Sequence, residues 1–320
     1  MAGKQKEDHS MASKIKGLHH ITAVSGPPQK NYHFYHDRLG LRLTKKTINF
    51  DDPFTYHLYY GNYYGAPGSS ITFFPWQYVG KGSPSTGEAT VVQYAIPADS
   101  LSFWEERFRE GDVIEKKYRL FDNSVISLFD NDGMKIELVE TPGSENVDTK
   151  GEGEIPDQHA IRGFFGTTLS LADTGPTAEL LEEFGWKSAG EEMGSLRYTS
   201  TPENHLGGVV DLRKEPDLNG TFGRGSIHHI AFRVPDDDAQ AEWREILLKM
   251  GYQVTPVQNR DYFRSIYFRE HGGVLFELAT DIPGFTKDEP LEELGKNLKI
   301  PSWFEKHRDE IEARLPKLKT

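Results

Sequence analysis

The stretch "LKMGYQV", residues 248–254, joins a helix-like amphipathic segment to a strand-like segment through Gly251. Glycine at such a junction is typical of a helix C-terminus, where one residue adopts a left-handed conformation. The same junction recurs in "DRLGLRL" (37–43), "FREGDVI" (108–114) and "EEFGWKS" (182–188). The four glycines, Gly40, Gly111, Gly185 and Gly251, are 71, 74 and 66 residues apart. This recurrence predicts four copies of one structural unit.

A second glycine follows each junction and predicts a hairpin turn. The turn segments are "APGSSITFF", "NDGMKIELV", "HLGGVVDLR" and "HGGVLFELA", with Gly68, Gly133, Gly208 and Gly273 lying 28, 22, 23 and 22 residues beyond the junction glycines. Each unit is therefore predicted to contain a strand, a helix and three more strands. Such a βαβββ module leaves one sheet face bare and must pair with another module. The predicted fold class is α+β, with four βαβββ modules.

Composition and spacing divide the chain into five segments. We expect a disordered leader at residues 1–14, modules one and two at 15–145, a polar linker at 146–158, modules three and four at 159–282, and a C-terminal helical tail at 283–320. In the tail, "PSWFEKHRDEIEARL" has apolar residues at helical spacing and is expected to pack on the body or on a neighbouring subunit.

Charge and cysteine content exclude several classes of function. The chain of 320 residues carries a net charge of -12 without a basic stripe, so no nucleic-acid partner is expected. It has no long apolar run, so no membrane partner is expected, and its leader lacks the apolar region of a signal peptide. The absence of cysteine excludes disulfides and leaves metal binding to His, Asp and Glu. We therefore expect a cytoplasmic protein.

Two histidine pairs begin the first strands of modules one and four, in "GLHHITAV" (17–24) and "GSIHHIAFRVPD" (225–236). Neighbouring strand residues point to opposite faces, so one histidine of each pair faces the sheet concavity, but the alternation does not decide which. Module four also carries Glu277 in its last strand, "VLFELAT". If modules one and four pair, one histidine from each and Glu277 converge. Two imidazoles and one carboxylate form the facial triad suited to Fe(II), and Mn(II) would accept the same ligands.

The remaining candidates are expected to be structural. His33, His36 and His307 lie on helix-like polar faces, His159 lies next to the linker, and His57, His205 and His271 lie near strands or turns. Glu137 occupies the same place in module two as Glu277 in module four, but its module has no histidine. We interpret Glu137 as a remnant of duplication or a member of an ion pair.

At these residues the sequence resembles the vicinal-oxygen-chelate superfamily, which includes glyoxalases, bleomycin-resistance proteins and extradiol dioxygenases. "LHHIT", "IHHIAF", "LFELA" and the tail "IPSWFEKHRDEIEARLP" resemble more closely the ring-cleaving dioxygenases that act on hydroquinones. The resemblance covers residues 15 to about 317. It implies that the modules form two vicinal-oxygen-chelate barrels, that the outer modules pair, and that His20, His229 and Glu277 bind the metal.

The resemblance also implies the activity and the catalytic residues: His19 and His228 beside the ligands, with Thr22, Arg260 and Tyr267. Tyr267 precedes Glu277 by ten residues, so a hairpin could bring its hydroxyl next to the metal. The implied activity is Fe(II)-dependent, extradiol-type cleavage of a hydroquinone ring by O2. The expected partners are a small aromatic diol and O2, and we expect a homo-oligomer.

Two alternatives stay open at this point. A metal-dependent glyoxalase-like isomerase, lyase or transferase on the same fold commonly needs a fourth protein ligand, and we expect the corresponding position within "SSITFFPW" to be a phenylalanine. A non-catalytic aromatic-binding protein is expected to have lost a ligand, whereas all three candidates are present here.

Overall fold

The computed structural model describes residues 14–109, 114–200 and 206–320. Its strands and helices follow the predicted βαβββ order four times. Module one comprises β1 (Leu18–Ser25), α1 (Pro28–Tyr32) with a π-helical turn (His33–Arg38), β2 (Arg42–Ile48), β3 (Tyr56–Gly61) and β4 (Ser70–Pro75). Module two comprises β5 (Glu88–Ile96), α2 (Leu101–Phe108), β6 (Ile114–Leu120), β7 (Asn123–Phe129) and β8 (Lys135–Glu140).

The other two modules repeat this order. Module three comprises β9 (Gly163–Leu171), α3 (Gly175–Glu183), β10 (Lys187–Glu192), β11 (Ser195–Thr199) and β12 (Val209–Lys214). Module four comprises β13 (Ile227–Val234), α4 (Asp237–Lys249), β14 (Gln258–Asn259), β15 (Arg264–Arg269) and β16 (Leu275–Thr280). The predicted α+β class with four βαβββ modules is confirmed.

The junction glycines explain why the modules end their helices where they do. Gly40, Gly185 and Gly251 follow the helical segments with φ of +66°, +87° and +92°, a region that L side chains rarely adopt. Gly111, like His205 and nearly all of the expected leader, lies outside the described residues.

The turn glycines behave as predicted in three modules. Gly68, Gly133 and Gly273 have positive φ. In module three the prediction of Gly208 is wrong by one residue, because the positive φ of +65° belongs to Gly207. The carbonyl of Gly207 accepts a hydrogen bond from the Leu18 amide at 2.8 Å, so this turn is fixed by contact with β1.

The strands form two curled eight-stranded sheets. The outer sheet combines modules one and four in the order β14-β15-β16-β13-β1-β4-β3-β2, and the inner sheet combines modules two and three in the order β10-β11-β12-β9-β5-β8-β7-β6. Antiparallel pairs join the modules, β1 with β13 and β5 with β9, while the first strand of every module runs parallel to its last strand. Each sheet therefore takes one module from residues 15–145 and one from residues 159–282.

Aromatic side chains join the two sheets into a common core. Phe232 on β13 packs against Phe184 and Trp186 of module three, with ring centroids 5.3 and 5.7 Å apart. The region expected to be a linker also takes part, because Ile155 is buried in this core. Short 3-10 helices, Ser144–Asn146 and Asp157–His159, stand on either side of it.

The C-terminal tail packs on module one. It contains 3-10 helices at Phe285–Lys287, Leu291–Glu293 and Glu305–His307 and the short helix α5 (Arg308–Arg314). The helix predicted for 301–315 is therefore shorter, and Trp303, which precedes it, meets Phe50 edge-on at 5.4 Å. The amide of Lys299 donates to the Lys46 carbonyl at 2.9 Å and so covers part of the edge strand β2.

Among the described residues, no helix is both long enough and apolar enough to cross a lipid bilayer.

Candidate metal centre

Three neighbouring strands of the outer sheet position the candidate metal ligands. The strand β13 lies between β1 and β16, and its register places Thr22 opposite His229 and Ala231 opposite Glu277. His20, His229 and Glu277 point into the concave side of the sheet, where their exposed fractions are 2%, 6% and 0%. Burial of three ionisable groups together is costly unless they share a partner such as a metal ion.

The ligand atoms of these residues converge on one point. Nε2 of His229 lies 2.9 Å from Oε2 of Glu277, Nε2 of His20 lies 3.3 Å from the same oxygen, and the two nitrogens are 3.4 Å apart. Ligands at right angles around a metal with bonds of ~2.1 Å are separated by ~3.0 Å. The observed triangle therefore fits three facial ligands of a divalent ion, and the second histidine of each pair is the one that lies in it.

The surroundings of the Glu277 carboxylate favour its ionised form, which can bind a cation. Its Oε1 accepts a hydrogen bond from Ser265 Oγ at 2.5 Å, whereas the buried Oε2 faces the Nε2 atoms of His20 and His229. Burial raises the pKa of Glu277, but the two neighbouring imidazoles outweigh this effect and hold the pKa well below its usual range. In the described part of the chain, one group of His, Asp and Glu side chains has ligand atoms close enough together to hold a metal ion, and it consists of His20, His229 and Glu277.

Two β-bulges explain why each ligand is preceded by another histidine. Leu18 and His20 face consecutive residues of β13, so His19 is an extra residue on β1, and by the same count His228 is an extra residue on β13. Bulges commonly re-aim side chains beside active sites. Here each bulge brings two Nδ1 atoms together, 2.9 Å apart for His19 and His20 and 2.7 Å apart for His228 and His229.

These contacts would fix the tautomer of each candidate ligand when a metal binds to it. A histidine that binds metal through Nε2 carries its proton on Nδ1 and needs an acceptor for it. Burial, followed by the charge of His20, lowers the pKa of His19, and a backbone hydrogen bond to Thr280 acts in the opposite direction. Burial, followed by the charge of His229, lowers the pKa of His228 to about 3. Both neighbours are therefore neutral at pH 7, so each can accept the Nδ1 proton of its ligand.

A cavity of about 400 Å³ opens above the ligands, and His20 and His229 line it. On the β15 side, Arg260 Nε donates to the Tyr267 hydroxyl at 3.1 Å, and its guanidinium lies 3.3 Å from Asp51 Oδ2. Burial raises the pKa of Tyr267, with a further contribution from Glu277, so its hydroxyl keeps its proton. Tyr267 faces Glu277 directly across the β15–β16 pair, as the hairpin argument requires.

The catalytic residues predicted from the resemblance therefore have different positions. Thr22, His228, Arg260 and Tyr267 line the cavity. His19 does not line it and instead lies behind His20, with an exposed fraction of 6%. The structure thus gives His19 a way to act on the ligand His20 but no contact with a molecule in the cavity.

Sequence reasoning missed the opposite wall of the cavity. His57 was expected to be structural, yet it lines the cavity next to Tyr59. Its Nδ1 lies 3.0 Å from the Tyr59 hydroxyl and its Nε2 lies 2.8 Å from Thr72 Oγ1. The alternation in "YHLYYG" could have shown that His57 and Tyr59 share a face, but not that this face meets the metal ligands.

The position corresponding to a fourth ligand also differs from the expectation. Thr72 pairs with Thr22 in the way that Glu277 pairs with Ala231, so the residue equivalent to Glu277 in module one is Thr72 and not a phenylalanine. The prediction was wrong because it depended on strand register, and a shift of one residue exchanges the two faces of a strand. The corrected residue still supplies no carboxylate.

The inner sheet holds a polar cluster at the place that corresponds to the candidate metal centre of the outer sheet. Glu137 accepts a hydrogen bond from Gln93 Nε2 at 3.0 Å and another from the Tyr118 hydroxyl. Gln93 also donates to Asp211 at 3.2 Å, and Arg197 binds the Asp211 carboxylate in a bidentate manner at 2.7 and 2.8 Å. Glu137 therefore belongs to a buried hydrogen-bonded network.

Most other histidines lie away from the cavity. His33 pairs with Asp37 at the surface, His36 stacks on Tyr32, and His271 stacks on Tyr252. His159 stacks on Phe103 with ring centroids 4.5 Å apart, and His307 ends a 3-10 helix.

Comparison with known proteins agrees with this architecture. Residues 90–278 match the model of the Glyoxalase/Bleomycin resistance protein/Dioxygenase superfamily. The chain is 44% identical over 306 residues to MhqO of Bacillus subtilis, which is named as a ring-cleaving dioxygenase, covering 95% of this chain and 97% of that protein. It is 32% identical over 310 residues to the chlorohydroquinone/hydroquinone 1,2-dioxygenase of Sphingobium indicum, covering 94% and 96% of the two chains.

Solved structures extend the comparison. A Bacillus subtilis protein described as a dioxygenase superposes with a TM-score of 0.92 at 43% identity, covering 96% of this chain and 99% of that chain. Glyoxalase I from Zea mays shares the fold, with a TM-score of 0.61 at 14% identity over 85% of this chain and 94% of that chain.

The paired βαβββ modules and these matches define the class: the chain belongs to the glyoxalase/bleomycin resistance protein/dioxygenase superfamily. Within that superfamily, curated relatives that it matches over nearly the full length are named as ring-cleaving dioxygenases or as a hydroquinone 1,2-dioxygenase. The chain is accordingly a ring-cleaving dioxygenase, an enzyme that uses O2 on an aromatic substrate.

Proposed function

We propose that this enzyme is an Fe(II)-dependent, extradiol-type dioxygenase that cleaves the ring of hydroquinones, which are para-diols. The observation that carries the proposal is the convergence of His20 Nε2, His229 Nε2 and Glu277 Oε2 below a cavity, with no further protein ligand on the cavity side among the described residues. Two imidazoles and one carboxylate with open positions are typical of non-haem Fe(II) oxygenases.

The donor set suits Fe(II), and Mn(II) is the alternative ion. Neutral imidazole and carboxylate suit both ions, and the chain offers no thiolate that would favour a softer metal. When bound, the metal would supply open positions where the substrate and O2 meet and exchange electrons.

The residues of the cavity would orient the substrate and handle its protons. Arg260 presents a fixed positive charge that can steady an anionic phenolate, while its Nε holds the Tyr267 hydroxyl in place. His228 is neutral and lines the cavity, so it can exchange a proton with a hydroxyl of the bound ring. His19 would hold His20 in the tautomer that binds metal.

The lining suits an aromatic ring. Phe74 and Trp76 stack with centroids 5.6 Å apart and form part of the cavity wall, and Phe263 packs against His20 at 4.9 Å. The name of the Sphingobium indicum relative supports hydroquinone as the substrate class. A glyoxalase-like reaction is less well supported, since Thr72 replaces the fourth ligand that such enzymes commonly need.

The test is anaerobic reconstitution with Fe(II) followed by oxygen uptake on methylhydroquinone and on catechol. We expect uptake with methylhydroquinone and none in the variant Glu277→Gln. Turnover of catechol alone would refute the proposed substrate class, and metal binding without any uptake would refute the proposed chemistry. The expected homo-oligomer and cytoplasmic location stay predictions, which light scattering after size exclusion and cell fractionation would check.

A further inference from the structure

A para-diol poses a recognition problem that a catechol does not. If the proposed function holds, one hydroxyl of a hydroquinone lies at the metal while the other lies on the far side of the ring, out of reach of the metal. The two adjacent hydroxyls of a catechol can both reach it. A site for para-diols therefore needs a polar group on the cavity wall opposite the metal ligands.

The outer sheet provides polar groups on both sides of the ligands. In the order β15-β16-β13-β1-β4-β3, the ligands occupy the three strands β16, β13 and β1. Arg260 and Tyr267 stand on the β15 side. His57 and Tyr59 stand on β3, two strand spacings or about 10 Å beyond β1, which leaves room for an aromatic ring. Both side chains line the cavity, although Tyr59 is otherwise buried, with an exposed fraction of 1%.

A chain of hydrogen bonds holds His57 in place. The Tyr59 hydroxyl lies 3.0 Å from His57 Nδ1, His57 Nε2 lies 2.8 Å from Thr72 Oγ1, and Thr72 Oγ1 lies 2.9 Å from Thr22 Oγ1. This relay, Tyr59-His57-Thr72-Thr22, replaces the carboxylate that a fourth ligand would supply at Thr72. Thr22, His57 and Tyr59 all line the cavity.

The relay can run in either direction. If the Tyr59 hydroxyl donates to His57, then His57 donates through Nε2 to Thr72 and the Thr22 proton remains available. In the reverse direction His57 donates to Tyr59, and the Tyr59 proton remains available. Burial keeps His57 neutral by lowering its pKa, so the ring has one donor and one acceptor as both directions require. The relay can thus donate to a substrate oxygen or accept from it.

Aromatic neighbours restrict where a ring can bind. The ring of His57 lies 4.5 Å from that of Phe74 and 4.2 Å from that of Tyr59, at angles of 44° and 36°. Phe74 in turn stacks on Trp76. A substrate ring placed along this aromatic wall, with one oxygen at the metal, directs its para substituent toward the relay.

We propose that the Tyr59 hydroxyl, which ends the relay Tyr59-His57-Thr72-Thr22 and is oriented by His57, binds the hydroxyl of the substrate para to the one at the metal, and so makes the cavity selective for para-diols. Tyr59 is then the residue that contacts the substrate, and His57 is a positioning residue whose two ring nitrogens are both engaged in the relay. A catechol cannot make this contact while both of its oxygens face the metal.

The test is a binding cycle that removes one hydroxyl from the ligand and the Tyr59 hydroxyl from the protein. Hydroquinone and 4-methylphenol, in which a methyl group replaces one hydroxyl, are titrated calorimetrically into Fe(II)-loaded protein under argon. We expect the wild-type protein to prefer hydroquinone by about tenfold, which is ~1.4 kcal/mol and typical of one hydrogen bond. In Tyr59→Phe, which removes only a terminal hydroxyl, the ratio should fall to about one.

Three further variants complete the design. His57→Phe keeps an aromatic ring but leaves the Tyr59 hydroxyl without the nitrogen that orients it, so it should lower the ratio. His57→Gln restores a polar amide at this position and should recover part of the preference. The matched control is His271→Phe, because His271 stacks on Tyr252 away from the cavity, and its ratio should equal that of the wild-type protein.

The outcomes separate this inference from the proposed function. An unchanged ratio in Tyr59→Phe, or no preference in the wild-type protein, would overturn the role of Tyr59 even if hydroquinone is cleaved, and an unchanged ratio in His57→Phe would overturn the positioning role of His57. A ratio lost in Tyr59→Phe but kept in His271→Phe supports the role of Tyr59. It does so even if oxygen uptake is absent and the proposed dioxygenase chemistry fails.

Discussion

Replacing His19 by phenylalanine should weaken metal binding without removing any ligand. In the metal-bound state His20 binds through Nε2 and must carry a proton on Nδ1, whose acceptor is His19 Nδ1 at 2.9 Å. In the metal-free protein His20 can move that proton to Nε2, which lies 3.3 Å from Glu277 Oε2, and then needs no donor contact with His19. The loss therefore falls mainly on the metal-bound state.

The magnitude follows from burial of this contact. A buried donor left without an acceptor costs about 1–3 kcal/mol, and each 1.4 kcal/mol changes an equilibrium constant tenfold. We expect His19→Phe to weaken Fe(II) binding by about 10–100-fold, the range typical of residues that support a metal ligand. His19→Asn, whose amide oxygen can accept the proton, should recover part of the loss.

Anaerobic competition with a chromogenic chelator measures the dissociation constant, and oxygen uptake at saturating Fe(II) measures KM and kcat. The matched variant His228→Phe should weaken metal binding to a similar extent and also raise KM, because His228 lines the cavity and His19 does not. Wild-type affinity for Fe(II) in His19→Phe would refute the tautomer argument. A large rise in KM in metal-saturated His19→Phe would refute the assignment of His19 to the ligand alone.

Three other predictions concern the metal and the stability of the fold. Glu277→Gln should abolish the metal-dependent stabilisation, about 2.7 kcal/mol at a hundredfold excess of ion over the dissociation constant, and an equal rise in Tm with and without the substitution would contradict this. Lys45 is fully buried between Asp288 and Glu289 of the tail, so Lys45→Met should lower the free energy of unfolding by about 3–5 kcal/mol in urea, unlike the same change at the exposed Lys317. Burial raises the pKa of Asp130 from 3.8 to about 6. Because the folded state then holds this proton more tightly than the unfolded state, the free energy of unfolding should fall by about 3 kcal/mol as pH rises from about 4 to about 6. Asp130→Asn should flatten this decline, and an unchanged pH dependence of the urea midpoint would count against it.

The sequence predicted those features that depend on local conformation. Gly40, Gly185 and Gly251 marked the modules because a left-handed residue is needed wherever a helix turns into a strand. Features that depend on strand register were missed. The position in module one equivalent to Glu277 was expected to be a phenylalanine but is Thr72. The place of His57 in the cavity wall becomes visible only when β3 is placed beside β4 and β4 beside β1. Long-range pairing of this kind leaves no signal in the alternation of a single strand.

The inner sheet shows what a metal centre on this fold requires besides carboxylates. It keeps Glu137 and Asp211 at the positions of Glu277 and Thr72, but by strand register Val91 and Gly166 stand where His229 and His20 stand in the outer sheet.

Neither Val91 nor Gly166 offers a ligand atom, and the carboxylates are bound instead by groups such as Gln93 and Arg197. A side chain at Gly166 is also prevented by packing, since a Cβ there would lie 2.3 Å from the Val209 carbonyl oxygen. Restoring a histidine at that position would require β9 and β12 to separate. The packing of the inner sheet therefore excludes an imidazole at Gly166. The histidine pairs at the bulges of the outer sheet supply the imidazoles that the inner sheet lacks, so the outer sheet is the one that could bind a metal.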